Sequence, residues 1–123
     1  MKFLCFAYED ETALDGLSQP EWDALRKETI AYVETLRTSG HLLATHALKS
    51  RRIAATVRVR AGKPLVTDGP FAEAKEQVGG YFLIDATDLR EAVDLAARWP
   101  SARIGAIEVR PIEEELPVDK RYA

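Results

Sequence analysis

The sequence predicts an α+β domain whose two helices lie on one face of a β-sheet. Three observations lead to this prediction: short apolar segments typical of strands, two segments whose apolar residues recur at helical spacing, and their order along the chain. The order is strand, long helix, strand, hairpin, strand, helix, strand, and two helices can cover only one face of such a sheet. The length of 123 residues fits a single domain with a core of its own.

The pattern opens with a strand and a long helix. Residues 2–8 (KFLCFAY) are apolar on both alternations, which is typical of a strand covered on two sides, and residues 11–18 (ETALDGLS) predict a loop. Ser18 stands three positions before Glu21, as in a capping box, and the helix of about five turns ends at Gly40. Its predicted buried stripe consists of Trp22, Leu25, Tyr32, Val33 and Leu36.

A second strand and a hairpin follow this helix. Residues 41–48 (HLLATHAL) predict a strand, and residues 55–69 (ATVRVRAGKPLVTDG) predict a hairpin with its turn at residues 61–64. Along the first hairpin strand, apolar and basic side chains alternate between the two faces, with Val57 and Val59 on one and Arg58 and Arg60 on the other.

The remaining elements are a strand, a second helix and a last strand. Residues 79–86 (GGYFLIDA) are again apolar on both faces. Asp88 and Glu91 mark the start of the second helix, Pro100 stops it, and the last strand lies within residues 103–112. The helix is predicted to bury Leu89, Ala92, Val93 and Ala96.

Two of the predicted strands, residues 2–8 and 79–86, need cover on both faces. Helices cover one face only, and no segment is left over to cover the other. Closed two-fold homodimers are the commonest protein assemblies. The sequence therefore predicts a homodimer in which two sheets pack face to face.

Composition excludes several classes of protein. A net charge of −3 and a pI near 5.4 argue against direct nucleic-acid binding, which needs clustered basic residues. No window reaches the apolar length of a membrane span, and the start lacks the features of a signal peptide. A single cysteine forms no internal disulfide. We therefore expect a cytoplasmic protein that does not enter a membrane.

The stretch VTDGPFAEAKEQVGGYFLIDATDLREAVDLAARWP at residues 66–100, followed by IEVRPI at residues 107–112, resembles the YCII-related family and, within it, the branch with a DGPF motif. The resemblance implies a ferredoxin-like β-α-β-β-α-β sheet with two helices on one face and an inserted hairpin, which pairs into a dimeric α+β barrel. The likeness treats residues 1–112 as a single domain and leaves residues 113–123 as a charged tail.

The same resemblance bears on mechanism and partners. A His–Asp pair in a cleft is suggested for YCII-type members, with the histidine in the first helix. The corresponding position here is Thr29, and the first helix contains no histidine, so a histidine-dependent mechanism does not carry over. Some relatives of the DGPF branch are associated with extracytoplasmic-function sigma factors, which implies a regulatory partner of that kind.

Asp68 in the DGPF motif is the candidate catalytic residue, and two interpretations of it stay open. In the first, Asp68 and Gly69 organise a turn. Pro70 would then begin a short helix ending near Glu76, and residues 79–80 would release the chain into the next strand. In the second, Asp68 overhangs a cleft and acts as a general acid or base. The substrate-binding residues would then be Arg58, Glu73, Lys75 and Glu76.

Other reactive residue types give weaker signals. His41 and His46 should face opposite sides of a strand, although either could titrate near neutral pH if it met Asp68. No zinc, dinucleotide or phosphate-binding motif is present, so we predict no metal and no cofactor. Three further side chains are predicted to pack in the core: Cys5, Trp22 and Trp99.

Two functional hypotheses follow from the sequence. In the first, the protein binds a small polar metabolite in a cleft at the DGPF loop, with or without cofactor-independent acid–base chemistry. In the second, it is a non-catalytic dimeric module that regulates a sigma factor, and the charged tail at residues 113–123 contacts a basic partner surface.

Overall fold

A computed structural model describes residues 1–118 of the chain. The part of the predicted tail at residues 119–123 therefore lies outside the described residues. The helices are α1 (Glu11–Asp15), α2 (Gln19–Thr38) and α3 (Leu89–Ala97), and short 3-10 turns span Arg51–Ile53 and Pro100–Arg103. The strands are β1 (Lys2–Glu9), β2 (Leu42–Ala47), β3 (Ala55–Arg60), β4 (Lys63–Asp68), β5 (Gln77–Asp85) and β6 (Ala106–Pro111).

Four of the strands form one antiparallel sheet in the order β2-β5-β1-β6. With the separate β3–β4 hairpin set aside, the element order is β-α-β-β-α-β and the sheet order is that of a ferredoxin-like fold. The predicted α+β class, the inserted hairpin and the ferredoxin-like sheet are thereby confirmed. The hairpin turn is tighter than predicted, because Ala61 and Gly62 both have positive φ and Lys63 already belongs to β4.

The start of α2 is fixed by the predicted capping box. The Ser18 hydroxyl accepts a hydrogen bond from the Glu21 amide at 3.3 Å, and the Glu21 carboxylate accepts one from the Ser18 amide at 3.0 Å. Gly40, with φ of +80°, ends the helix as predicted. Further along, the Tyr32 hydroxyl donates to the Leu95 carbonyl at 2.6 Å and ties α2 to α3.

The core lies between the two long helices and one face of the sheet. Phe3 and Cys5 on β1 and Phe82 on β5 have no exposed surface, and Trp99 stacks on the Phe82 ring at 4.0 Å between centroids. The predicted packing of Cys5 and Trp99 is confirmed. Burial raises the pKa of the Cys5 thiol to about 12, which makes it unsuitable as a nucleophile.

Within residues 1–118, no helix covers the opposite face of the sheet. Alternation along β1 and β5 places on this face side chains that are only partly buried, in contrast to the fully buried ones between them. The face is largely apolar at its centre. Its central side chains are Leu4, Phe6, Tyr8, Tyr81 and Leu83.

Three local predictions are wrong. Residues 11–15 form the helix α1 rather than a loop, because the Asp10 carboxylate accepts a hydrogen bond from the Thr12 amide and caps it. In α3 the buried residues are Ala92, Leu95 and Ala96, which lie on the same side as the buried Trp99 ring after the helix. Two residues of the predicted stripe are instead about half exposed. These two are Leu89 and Val93.

The third wrong prediction is the short helix from Pro70 to Glu76, where the described chain has only bends and irregular backbone. The carbonyls of Ala72 and Ala74 accept hydrogen bonds from the Gln77 side-chain amide, at 2.5 and 2.9 Å. The Arg51 guanidinium donates to the second of them at 2.7 Å. Side chains therefore replace helical bonds at these carbonyls, and residues 79–80 lie inside β5 rather than before it.

Candidate functional site

A cavity of about 520 Å³ opens where β1 ends and β5 begins, between the sheet, α1, α2 and the second 3-10 turn. Its lining is mostly apolar and comes from elements that are far apart in sequence. It includes both tryptophans of the chain. The apolar lining residues include Leu14, Trp22, Leu25, Val33, Trp99 and Ile104.

Glu9, the last residue of β1, brings a carboxyl group into this cavity. It lies on the helix-covered face because it alternates with Ala7. A bulge at this point places Gly79 on β5 directly beneath the Glu9 carboxyl group, where a side chain on residue 79 would overlap it. The missing side chain of Gly79 therefore makes the space that Glu9 occupies.

The environment of Glu9 favours its protonated form. Burial raises the pKa of the Glu9 carboxyl group, and the negative charge of Glu11 raises it further. Within residues 1–118 the Glu9 carboxyl group makes no hydrogen bond and no ion pair to the protein. A half-buried acid of this kind is available to a bound molecule.

The two acids that follow Glu9 have structural partners instead. The mostly buried Asp10 side chain caps α1 and lies 3.6 Å from the Lys75 ammonium group. Glu11 accepts hydrogen bonds from the Ser50 hydroxyl at 2.8 Å and from the Arg51 amide at 2.7 Å, and these bonds lower the pKa of its carboxyl group. Glu11 thus stays ionised near Glu9 and anchors the segment that leads into β3.

Two further polar features border the cavity. His46 and Tyr81 belong to the lining, and the His46 Nδ1 atom lies 2.7 Å from the Tyr81 hydroxyl on the face of the sheet away from the helices. Thr29, the position that corresponds to the family's suggested histidine, also lines the cavity. Its hydroxyl donates to the Leu25 carbonyl at 2.8 Å, within its own helix. The cavity therefore occupies the region where the resemblance to YCII-type proteins expects chemistry.

The site residues predicted from the DGPF motif lie elsewhere. Asp68 is exposed at the end of β4, and the Arg58 guanidinium lies 4.9 Å from the centre of the Phe71 ring. Glu73 and Glu76 are exposed, and the Lys75 ammonium group lies 3.6 Å from the carboxylate of Asp10, a residue of the cavity lining. None of the five belongs to the lining of the 520 Å³ cavity, so their catalytic and binding roles stay predictions.

The DGPF segment itself supports part of the turn interpretation. Gly69 has φ of +100°, its amide donates to the Ala54 carbonyl at 2.7 Å, and its carbonyl accepts from the Thr56 hydroxyl at 2.9 Å. These bonds close the base of the β3–β4 hairpin. Among the described residues, the Asp68 side chain forms no hydrogen bond, so the backbone of Gly69 rather than the carboxylate organises the turn.

Neither histidine meets Asp68 within the described residues. The His41 ring lies 2.7 Å from the Ser39 hydroxyl and 3.5 Å from the Glu91 carboxylate. In residues 1–118, no cluster of three or more His, Cys, Asp or Glu side chains is arranged to hold a metal ion. No helix of that part of the chain combines the length and apolarity needed to cross a membrane.

Sequence reasoning missed Glu9. The first strand is predicted over residues 2–8 and the loop over residues 11–18, which leaves Glu9 outside every predicted element. The available signal was an acid that continues the alternation of Phe3, Cys5 and Ala7 on the buried face. An acid in that register must be partly buried or must line a cavity.

Comparisons with known proteins agree with this architecture. Residues 1–115 match the family profile of the YCII-related domain. The chain is 36% identical over 114 residues to the uncharacterized protein R00369 of Rhizobium meliloti (strain 1021), covering 91% of this chain and 92% of that protein.

A solved structure shares the fold. It is the 5-chloro-2-hydroxyhydroquinone dehydrochlorinase of Burkholderia phenoliruptrix AC1100, in complex with 2,5-dihydroxybenzoquinone. The two structures superpose with a TM-score of 0.54 at 17% sequence identity, over 95% of this chain and 98% of that one. The family match spans nearly all of the described residues, and this chain belongs to the YCII-related family.

Proposed function

We propose that this protein binds a small organic molecule in the cavity at the end of β1, and that Glu9 exchanges a proton with that molecule. One observation carries the proposal. A carboxyl group with a raised pKa and no hydrogen-bond partner among the described residues stands in a largely apolar cavity of about 520 Å³. Cavities of this size and polarity, with a few polar groups, are typical of small-molecule sites.

The lining favours a compact ligand with a ring. Trp22, which is only partly buried, offers an aromatic surface, while Glu9 provides a group that can donate or accept a proton. The similar fold of a dehydrochlorinase bound to a dihydroxybenzoquinone supports a ligand of this size. A hydroxyl or carbonyl oxygen on the ring would be the natural partner of Glu9.

The raised pKa of Glu9 defines its chemical role. A carboxylic acid with a raised pKa holds its proton to higher pH than an ordinary glutamate; it can donate that proton to a ligand oxygen, and the resulting carboxylate can take a proton back. The exchange is a proton transfer only and calls for no cofactor.

The sequence-based hypothesis remains the competing proposal. It assigns the proton transfer to Asp68 and substrate binding to Arg58, Glu73, Lys75 and Glu76. The geometry favours Glu9 over Asp68, because Asp68 is exposed and lies outside the cavity lining. The two proposals make opposite predictions for the same pair of variants.

The test uses the natural fluorescence of the chain. Its two tryptophans both line the cavity, so an occupied cavity will change their emission. Wild-type, Glu9→Gln and Asp68→Asn proteins would be titrated with a panel of hydroxylated aromatic compounds, and melting temperatures measured in parallel. We expect a ligand that binds the wild type and Asp68→Asn alike and binds Glu9→Gln more weakly. Weaker binding by Asp68→Asn alone would support the DGPF site instead.

We further propose that the chain forms a homodimer through the open face of its sheet. The face carries five partly buried apolar or aromatic side chains that no helix of the described residues covers. Polar groups flank this centre, since the Tyr8 hydroxyl donates to the Glu108 carboxylate at 3.3 Å and Glu108 also contacts Arg110. An apolar centre with a polar rim is typical of protein interfaces.

A sigma-factor partner, contact through residues 113–123 and a cytoplasmic location remain predictions of the sequence. A pull-down with the full chain and with residues 113–123 removed would test the partner. An unchanged result would exclude the tail as the contact.

A further inference from the structure

The β3–β4 hairpin, residues 55–68 and hereafter the arm, has one apolar and exposed face. Cross-strand pairing places Val57 opposite Val66 and Val59 opposite Pro64, so these four side chains share a face. The exposed fractions are 62% for Val57, 58% for Val59 and 66% for Val66. Adjacent exposed β-branched side chains on one flat surface are typical of an interaction site.

A hairpin that contacts only solvent would not account for the structure of the arm. Its two strands form a sheet of their own, apart from the four-stranded sheet. An isolated two-stranded hairpin is at best marginally stable in water, and exposed apolar strands invite pairing with another chain. The arm nevertheless has a fixed base, held by the Gly69 bonds and by the Arg51 guanidinium, which donates to the Ala74 carbonyl at 2.7 Å. A fixed base presents the apolar face in a defined direction.

Charge distinguishes the arm from the rest of the chain. Its other face carries Arg58, Arg60 and Lys63, and the one acid of the arm, Asp68, stands opposite Ala55 at the base of the apolar face. The whole chain has a net charge of −3, so the remainder is more acidic than the whole. The basic arm and the more acidic remainder of the chain are electrostatically complementary. This favours contact between the arm of one copy and the remainder of another copy.

We propose that the apolar face of the arm docks on a second copy of this chain. In a two-fold dimer the arm of each copy would bind the remainder of the other copy. Symmetry would then produce the same valine contact twice in one interface. A strand of six residues extends about 20 Å, which is long enough to reach a neighbouring copy. The inference extends the homodimer proposed above and rests on it for the identity of the partner.

The test compares two double variants that add the same charge to opposite faces of the arm. Val57→Asp/Val66→Asp changes a cross-strand pair on the apolar face, and Leu65→Asp/Thr67→Asp changes two positions on the other face. All four side chains are exposed in the single chain, so both proteins should fold, which circular dichroism would check. Sedimentation velocity over a concentration series would measure the dimer dissociation constant of each.

We expect the valine variant to raise the dissociation constant by about tenfold or more and the control to change it by less than about threefold. Amide hydrogen exchange in residues 55–68 of the wild type should slow when dimer forms. A wild-type dimer whose dissociation constant is the same in both variants, with arm exchange independent of concentration, would overturn the arm proposal while leaving the sheet-face dimer intact. A wild type that stays monomeric would overturn both proposals.

Discussion

The carboxyl group of Glu9 occupies the space that a side chain on Gly79 would fill. The two residues lie on neighbouring strands of the central sheet, and the bulge between β1 and β5 brings them together. This pairing keeps an acid inside a largely apolar cavity without an ion-pair partner among the described residues.

Gly79→Ala should displace Glu9 at little cost in stability. Only the flexible end of the Glu9 side chain has to move, so we expect a loss of less than about 1 kcal/mol in the free energy of unfolding. The displaced carboxyl group should lose ligand contact, and ligand-dependent stabilisation should fall toward that of Glu9→Gln.

Gly105→Ala is the matched control, because its new carbon would meet the Tyr8 backbone carbonyl, which cannot move aside. We expect the control to lose about 2 kcal/mol or more. Equal losses would contradict this account.

Glu9→Gln should stabilise the ligand-free protein at neutral pH. The folded-state pKa of Glu9 is raised, so the native state binds its proton more tightly than the unfolded state does. The stability associated with that proton is fully present below the ordinary glutamate value of 4.5 and is lost as pH rises through the raised folded-state pKa. The difference between variant and wild type should therefore grow from pH 4 toward neutral pH in chemical denaturation. A difference that is constant with pH would rule out a raised pKa.

Tyr32→Phe should loosen the contact between the two long helices. The lost hydroxyl donates to the Leu95 carbonyl in a partly buried position, and removing one such bond costs about 1 kcal/mol. Tyr8→Phe is the control, since its hydroxyl makes a longer bond, 3.3 Å, to Glu108 on the open face. Thermal or urea unfolding at a concentration where both are monomeric would compare them. If Tyr8→Phe lowers the free energy of unfolding as much as Tyr32→Phe does, the hydrogen bond between the helices stabilises the fold no more than the bond on the open face.

Leu83→Asp should disrupt the homodimer. Leu83 stands at the centre of the open face, and a buried, unpaired carboxylate in an interface costs about 2 kcal/mol or more of binding free energy. Leu89→Asp is the control, because Leu89 is half exposed on α3 in the helix layer. Light scattering should give a monomer for the first variant and a dimer for the second. The reverse result would assign the interface to α3.

Local signals explain why much of the fold was predictable. Ser18 and Glu21 cap α2 through bonds that span three residues, and β1 reads as a strand because Phe3 and Cys5 alternate with Leu4 and Phe6. Patterns of this kind involve residues that are close together along the chain, so the sequence shows them directly.

The prediction failed where distant residues decide the outcome. The chain after Pro70 is irregular in part because Arg51, which lies 23 residues from Ala74 in the sequence, bonds the Ala74 carbonyl, while Gln77 directly after the segment bonds the Ala72 carbonyl. The cavity is assembled from β1, α2 and the second 3-10 turn, so no continuous motif marks it. The DGPF motif is contiguous and therefore visible in the sequence, whereas the best-placed acid, Glu9, has only its strand register as a signal.

Because Cys5 is buried, its modification can be used to measure how often the central strands separate from the helices. It is the sole cysteine of the chain and lies on a central strand with a neighbour on each side. Alkylating reagents need an accessible thiolate, and the folded protein offers neither access nor charge at this sulfur near neutral pH. Its rate of modification will therefore report separation of the central strands from the helices, and a cysteine introduced on the arm would take a label with no competition from the native one.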